Sequence, residues 1–274
     1  MGLLTDMLDS GLRRVAEARQ RVPEAALRAA VLAGPAPPRL QLDRAGFDVI
    51  AELKLRSPSL GDLSAATLDP VRRLEAYAQG GAAVCSILTE PTRFDGDLEH
   101  LRLAAETLQP YGVPALRKDF LVDPYQVLEA RAYGASGVLL IVRMVPRERL
   151  VEMIDCAADL GLFVLLEAFD ADDLEIAGAI ARERSGRDEQ VLMGLNCRDL
   201  ETLEIDSRRF ATLRGRLPLD WPAVAESGVQ TPQDAARVAR LGYRLALVGT
   251  SLMRRVDAAH AVQELVEAGR KALP

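Results

Sequence analysis

VPALRKDFLVDPYQVLEARAYGASGVLLIVR, residues 113–143, holds one complete repeating unit of the chain. Val113–Phe120 is a short apolar run ending in polar residues and reads as a strand. Asp123-Pro124 follows. An Asp before a Pro suits a helix start, because the carboxylate accepts from first-turn amides and Pro has no amide to leave unpaired. Apolar residues recur at helical spacing over 123–133, and Gly134 stands where a left-handed helix end disfavours a side chain. Gly137–Arg143 then reads as the next strand. Both strands look apolar on both faces, as strands do in a parallel sheet covered by helices outside and filled by side chains inside.

The same unit extends in both directions. Val49–Lys54, Ala83–Thr89, Leu162–Glu167, Val191–Asn196, Ala223–Ser227 and Leu245–Thr250 read as the other six strands. Helical periodicity covers 69–79, 97–109, 146–160, 170–184, 206–215, 231–241 and 257–272. Eight units whose strands start roughly 20–35 residues apart predict an α/β fold, a single (β/α)8 TIM barrel. An open doubly wound sheet is the competing architecture, but no strand feeds a Gly-x-Gly-x-x-Gly turn followed by an acidic residue. Residues 1–45 read as an N-terminal helical extension, with an apolar pattern at Leu3, Leu4, Met7, Leu8, Leu12 and Val15. The Pro-rich stretch Ala33–Pro38 is a stiff connection, so 1–274 is expected to be one domain with the barrel over 46–274.

Composition narrows the chemistry. The 274 residues are 49% hydrophobic and 27% charged, and no apolar run is long enough to cross a bilayer. The acidic N-terminus lacks a signal peptide's basic flank and cleavage site, which predicts a cytoplasmic protein. A net charge of -6 with scattered basic residues predicts no nucleic-acid partner. Cys85, Cys156 and Cys197 are too few and too dispersed for a disulfide framework or a zinc site. The two histidines, His100 and His260, lie in helical stretches, so acid–base work falls to Lys, Glu and Asp.

A barrel builds its active site from the C-terminal strand ends and the loops after them. Glu52 and Lys54 are two apart and share a face. Lys118, Glu167, Asn196 with Arg198, and Glu226 close further strands. Each has a plain structural reading: an internal Glu52–Lys54 ion pair, a solvated Lys118, an Asn196 or Arg198 that satisfies loop carbonyls, a Glu226 that accepts from backbone amides. Their convergence on one rim is not expected from packing, because buried ions cost several kcal/mol each unless paired or used. Ser227-Gly228 and Gly249-Thr250-Ser251 follow the last two strands, where barrels frequently bind phosphate. The alternative is that these glycines only make tight turns.

Ala51-Glu-Leu-Lys-Leu-Arg-Ser-Pro-Ser59, Ser86-Ile-Leu-Thr-Glu90, Arg117-Lys-Asp-Phe-Leu-Val-Asp-Pro-Tyr-Gln126, Gly194-Leu-Asn-Cys-Arg-Asp-Leu200, Ala225-Glu-Ser-Gly228 and Val248-Gly-Thr-Ser-Leu-Met-Arg254 together resemble the indole-3-glycerol phosphate synthase family. Lys-Asp-Phe followed by Asp-Pro-Tyr-Gln is the specific part. The resemblance implies a carboxy-lyase of tryptophan biosynthesis that needs no cofactor or metal. It acts on a phosphorylated small molecule, 1-(2-carboxyphenylamino)-1-deoxyribulose 5-phosphate. Carried over by motif, Lys118 is the general acid at the ketone oxygen, with a pKa expected to be lowered by Lys54 or by burial. Glu167 and Lys54 serve the later loss of water, and Glu52, Asn196 and Glu226 orient the substrate and the lysines. Ser57, Ser227, Gly228, Gly249 and Thr250 surround the phosphate, Arg198 holds the carboxylate or developing charge, and Phe120 presses on the aromatic ring with neighbours such as Leu139. The resemblance also implies a monomer or weak homo-oligomer, and allows association with other tryptophan-pathway enzymes.

Three departures stand out. Glu167 is followed by Ala168-Phe169-Asp170 where the family more often reads Val-His, Arg143 ends a strand where small or apolar residues are usual, and Cys197 replaces a common Asn or Ser. Arg143 is expected either to face the site or to pair with Glu167 or another carboxylate. The competing functions are a phosphoribosyl isomerase, which would need a different acid–base pair, and a noncatalytic barrel subunit.

Overall fold

In the computed structural model, which describes residues 2–43, 46–54, 56–57, 61–62 and 69–273, eight parallel strands close on themselves. They are β1 (Asp48–Leu53), β2 (Val84–Leu88), β3 (Ala115–Lys118), β4 (Gly137–Ile141), β5 (Phe163–Ala168), β6 (Val191–Asn196), β7 (Ala223–Glu226) and β8 (Leu245–Val248). Sequential neighbours pair throughout. β1 closes the ring, with Ile50 opposite Val84 of β2 and Asp48 opposite Leu245 of β8. All eight expected strands are present. Several are shorter than expected: Pro114 has no amide to give a ladder, the chain after Ile141 turns into a 3-10 segment, and Gly249 leads directly into a short helix.

Period-two alternation divides the strands between two cores. Ile50, Val84, Leu116, Leu139, Leu165, Leu192, Val224 and Leu245 belong to one buried cluster, the barrel interior. Their sequence neighbours Val49, Ala51, Cys85, Val138, Val164, Met193, Ala225 and Ala246 belong to another, shared with the surrounding helices. Gly137 is one small residue that packing demands, since a Cβ there would collide with the Phe163 ring.

The crossover helices are α3 (Pro70–Gln79), α5 (Leu98–Leu108), α6 (Pro124–Ala132), α7 (Arg147–Asp159), α8 (Ala171–Glu183), α10 (Pro232–Arg240) and α12 (Ala258–Ala272), preceded by α1 (Leu3–Arg21) and α2 (Glu24–Ala33). Their starts follow the expected chemistry. Asp69, Asp123 and Asp170 accept from first-turn amides, and Thr231 forms a reciprocal capping box with Asp234. The segment 206–215 departs from the expected single helix. It forms only α9 (Arg209–Thr212) and a 3-10 turn over Arg214–Arg216, because Gly215 weakens the helix and Phe210 is its one buried side chain. Two further short helices are α4 (Pro91–Phe94), which was not anticipated and is capped by Glu90, and α11 (Thr250–Met253), in the loop after β8.

Helix α1 is fastened to the end of β3. Leu3, Leu4 and Leu8 pack on the interior cluster that contains Met7, Phe120 and Phe169, whereas Leu12 faces solvent. Arg14 forks onto Asp119 with two bonds of 2.8 Å. Asp119 also accepts from Thr89 at 2.9 Å, Arg117 at 3.1 Å and the Phe120 amide at 2.8 Å. Burial opposes its charge, but the Arg14 and Arg117 guanidinium groups hold its carboxyl well below the usual carboxylate range. Arg117 is itself buried and bonds to Glu129 at 2.9 Å. Removing one partner of such a pair strands the other. Asp119→Ala is therefore expected to cost about 3–5 kcal/mol of stability in urea unfolding; a loss under about 1 kcal/mol would deny the network that role.

Candidate active site

The alternation that fills the barrel also equips its mouth. Two residues beyond Ile50 comes Glu52, beyond Leu116 comes Lys118, beyond Leu165 comes Glu167, and beyond Val224 comes Glu226. These side chains line a solvent-open cleft. Lys54, Asn196, Arg198 and Phe120 line the same cleft, as do Ser227, Gly228, Gly249 and Thr250. Ser57 lies in a two-residue strand paired with Gly61, and its side chain falls outside the described residues. Among the expected site residues whose side chains are described, the structure brings every one together.

Charge pairing within the cleft is specific. The Lys54 ammonium stands 2.7 Å from Glu52, and Lys118 stands 3.5 Å from Glu167. The Asn196 amide donates to Glu167 at 2.8 Å while its oxygen accepts from the Arg198 amide at 2.9 Å, which fixes the orientation of the side chain. A second bond, from Arg198 to the Leu203 carbonyl at 2.9 Å, ties the loop after β6 to itself. Glycine makes room for these groups. A Cβ on Gly194 would strike Glu226, and one on Gly249 would strike Glu52.

Protonation follows from these neighbours. Burial works against a charge on Glu52, yet Lys54 and Lys118 keep its pKa lowered. Glu226 goes the other way: burial and the adjacent Glu167 carboxylate raise its pKa well above the usual carboxylate range. Lys118 corrects an expectation. Burial alone would lower its pKa, but Glu167, Glu226 and Glu52 outweigh burial and raise it. The ammonium is firmly protonated in the free site.

The cleft has two characters. Around Gly249 and Ser227 it offers hydroxyls and backbone, and the buried Ser251 hydroxyl has no hydrogen-bond partner among the described residues, as a ligand-facing donor would. Ser227 adopts φ 57°, an uncommon conformation for a residue with a Cβ. The other side is apolar: Leu3, Phe94, Phe120, Leu139, Ile141 and Phe169. Phe94 and Phe120 lie 6.3 Å apart, ring centre to ring centre. Phe94, Phe169 and Leu3 escaped the sequence reading. The available signals were the Glu90-Pro91 helix start that carries Phe94 and the two-residue step from Glu167 to Phe169. Arg143 does not pair with Glu167; it bonds to Asp170 and Asp173. Cys197 is buried, and burial pushes its thiol up to about 12, in keeping with a structural role.

A closed parallel barrel with a lysine–carboxylate cluster at its mouth, beside paired glycine and hydroxyl loops, defines the class: a (β/α)8-barrel enzyme of small-molecule metabolism. A profile described as indole-3-glycerol phosphate synthase matches residues 4–265. A protein of that name from Kineococcus radiotolerans is 44% identical over 227 residues, covering 83% of this chain and 78% of the relative. Its namesake from a Nocardioides species is 42% identical over 268 residues, covering 97% and 98%. Among solved structures, phosphoribosyl anthranilate isomerase from Thermotoga maritima superposes with a TM-score of 0.54 at 13% identity, over 81% of this chain and 99% of that one. That likeness is one of fold alone. The chain belongs to the indole-3-glycerol phosphate synthase family.

The raised Glu226 pKa has a consequence for stability. Above the unfolded carboxyl pKa of about 4.3 the unfolded chain releases this proton while the folded protein retains it, so Glu226 makes folding less favourable as pH rises. Glu226→Gln removes that effect. Thermal melts should show the variant gaining on the wild type as pH rises above about 4.5, and a gap that narrows with pH would contradict a raised Glu226 pKa.

Proposed function

We infer that the protein converts 1-(2-carboxyphenylamino)-1-deoxyribulose 5-phosphate into indole-3-glycerol phosphate, carbon dioxide and water. The observation that carries this reading is the Lys118–Glu167–Asn196 constellation, set between an apolar wall and a hydroxyl-lined rim. The apolar wall suits the aromatic ring. The rim formed by Ser227, Gly228, Gly249 and Thr250 suits the phosphate, with glycines that let backbone approach an anion. Holding both ends folds the substrate so that the carboxyl-bearing ring carbon meets the ketone carbon.

As that bond forms, the ketone oxygen gathers charge. Lys118 supplies it with a proton, and Glu167 stabilises the lysine beforehand and can take a proton afterwards. Departure of carbon dioxide returns its bonding electrons to the ring. The new hydroxyl then leaves as water, assisted by Lys54, with Glu167 as the base that removes the proton from nitrogen or carbon. Glu52 holds Lys54 in place. Arg198 meets the substrate carboxylate, and Glu226 helps to orient the substrate and the lysines. An isomerase would leave the Lys118–Glu167 pair without a task. For location we propose the cytoplasm; no helix among the described residues is long and apolar enough to cross a membrane.

Purified protein given this substrate should develop indole fluorescence. Lys118→Ala should lower the rate by about 10²–10⁴-fold, the usual worth of a general acid, with the fold retained by circular dichroism. An undiminished rate in the variant would remove Lys118 from the mechanism. Thr250→Glu places a carboxylate beside the phosphate and should raise KM about tenfold or more, roughly 1.4 kcal/mol; an unaltered KM would locate the phosphate elsewhere.

A further inference from the structure

Two of the three departures from the family pattern, Arg143 and Ala168–Asp170, meet in space. Arg143, just after β4, lays its guanidinium over the Phe169 ring, 5.4 Å from the ring centre. Its Nε donates to both oxygens of Asp173, at 3.0 and 2.8 Å, and its Nη2 donates to Asp170. Asp173 in turn accepts from the Phe169 amide at 2.8 Å, and Arg209 donates to the Phe169 carbonyl at 3.3 Å. Asp170 is meanwhile the cap of α8. The ring is thus covered by a cation on one side and tied at both its backbone polar groups. Phe169 is only 4% exposed, although it follows a strand at the barrel mouth.

Its position explains the effort. Phe169 lines the catalytic cleft, and it also lines a second, solvent-open pocket together with Arg143 and Arg209. The ring is therefore part of the partition between the two spaces. We propose that Phe169 is a specificity-determining residue that limits the size of the aromatic ring the cleft accepts, and that Arg143 is the positioning residue that holds the partition shut. The ligand class this controls is the ring-substituted (carboxyphenylamino)deoxyribulose phosphates. The inference rests on the reaction assigned above.

The physical logic is steric. A phenylalanine free to rotate would yield to a substituted substrate at the cost of one side-chain rotation, whereas a ring pinned by a paired guanidinium does not. Truncating it joins the cavities and gives an added substituent somewhere to go.

The test uses the full chain and two kinds of substrate: the parent compound and a panel carrying a phenyl group at each ring position left free by the amine and carboxyl groups. The quantity read is the ratio of kcat/KM for substituted to parent substrate, which is insensitive to the fraction of folded enzyme. For at least one position, Phe169→Ala should raise that ratio tenfold or more over wild type, and Phe169→Leu should do so by less. Arg143→Met should raise it at the same position, chiefly through KM of the substituted substrate. Ratios that stay at the wild-type value across the panel in Phe169→Ala and Phe169→Leu would overturn the partition. A rise in both Phe169 variants with none in Arg143→Met would overturn the role of Arg143. Failure of the wild type to turn over the parent compound would instead count against the assigned reaction.

Discussion

A closed parallel barrel imposes one constraint on which the rest of the molecule depends: successive side chains along a strand alternate between the inside and the helix layer. The eight strands obey it without interruption, so the interior cluster of Ile50, Leu116, Leu165 and Val224 is continued two residues later by Glu52, Lys118, Glu167 and Glu226. The site is the last layer of the core, made polar. Its geometry is therefore set by the strand register, with Glu52 opposite Ser86, Glu167 opposite Gly194, and Asn196 opposite Glu226. Groups built on strands in this way are held more rigidly than groups on loops, which is what a reaction demanding close approach of two carbons needs.

The arrangement is costly to assemble, because it collects ions in a partly dry space. Three cations, Lys54, Lys118 and Arg198, face Glu52 and Glu167, while burial and Glu167 raise the pKa of Glu226. Those cations suit an anionic substrate. A like logic governs the Asp119 network below the rim. There Arg14 from α1 and Arg117 from β3 share one carboxylate, so the N-terminal helix is fixed to the residue that follows Lys118. The helix then delivers Leu3 to the apolar side of the cleft.

Much of this was legible in the chain itself. Strand runs, Asp-Pro helix starts and left-handed glycines such as Gly134 and Gly242 are local signals, and the elements they mark appeared where expected. The rim residues were legible because a charged residue at the end of an apolar strand has few structural excuses. What escaped depends on contacts between distant segments. Arg14 lies 105 residues from Asp119, and Arg143 lies 30 from Asp173, and nothing in either local stretch names its partner. The segment 206–215 misled because its apolar spacing looks helical while only Phe210 finds a core.

The direction of the Lys118 pKa failed for a more instructive reason. Sequence placed a second lysine, Lys54, at the same mouth, and a like charge would lower the pKa. In the fold, Glu52 lies 2.7 Å from Lys54 and absorbs its influence, while Lys118 is left facing Glu167, Glu226 and Glu52. The net field at a titrating group depends on which opposite charge is nearest, a three-dimensional fact. For the reaction this favours a lysine that arrives fully loaded with its proton. Its readiness to release that proton then comes from the charge developing on the ketone oxygen, since the acid and the growing oxyanion strengthen their contact only as the carbon–carbon bond forms.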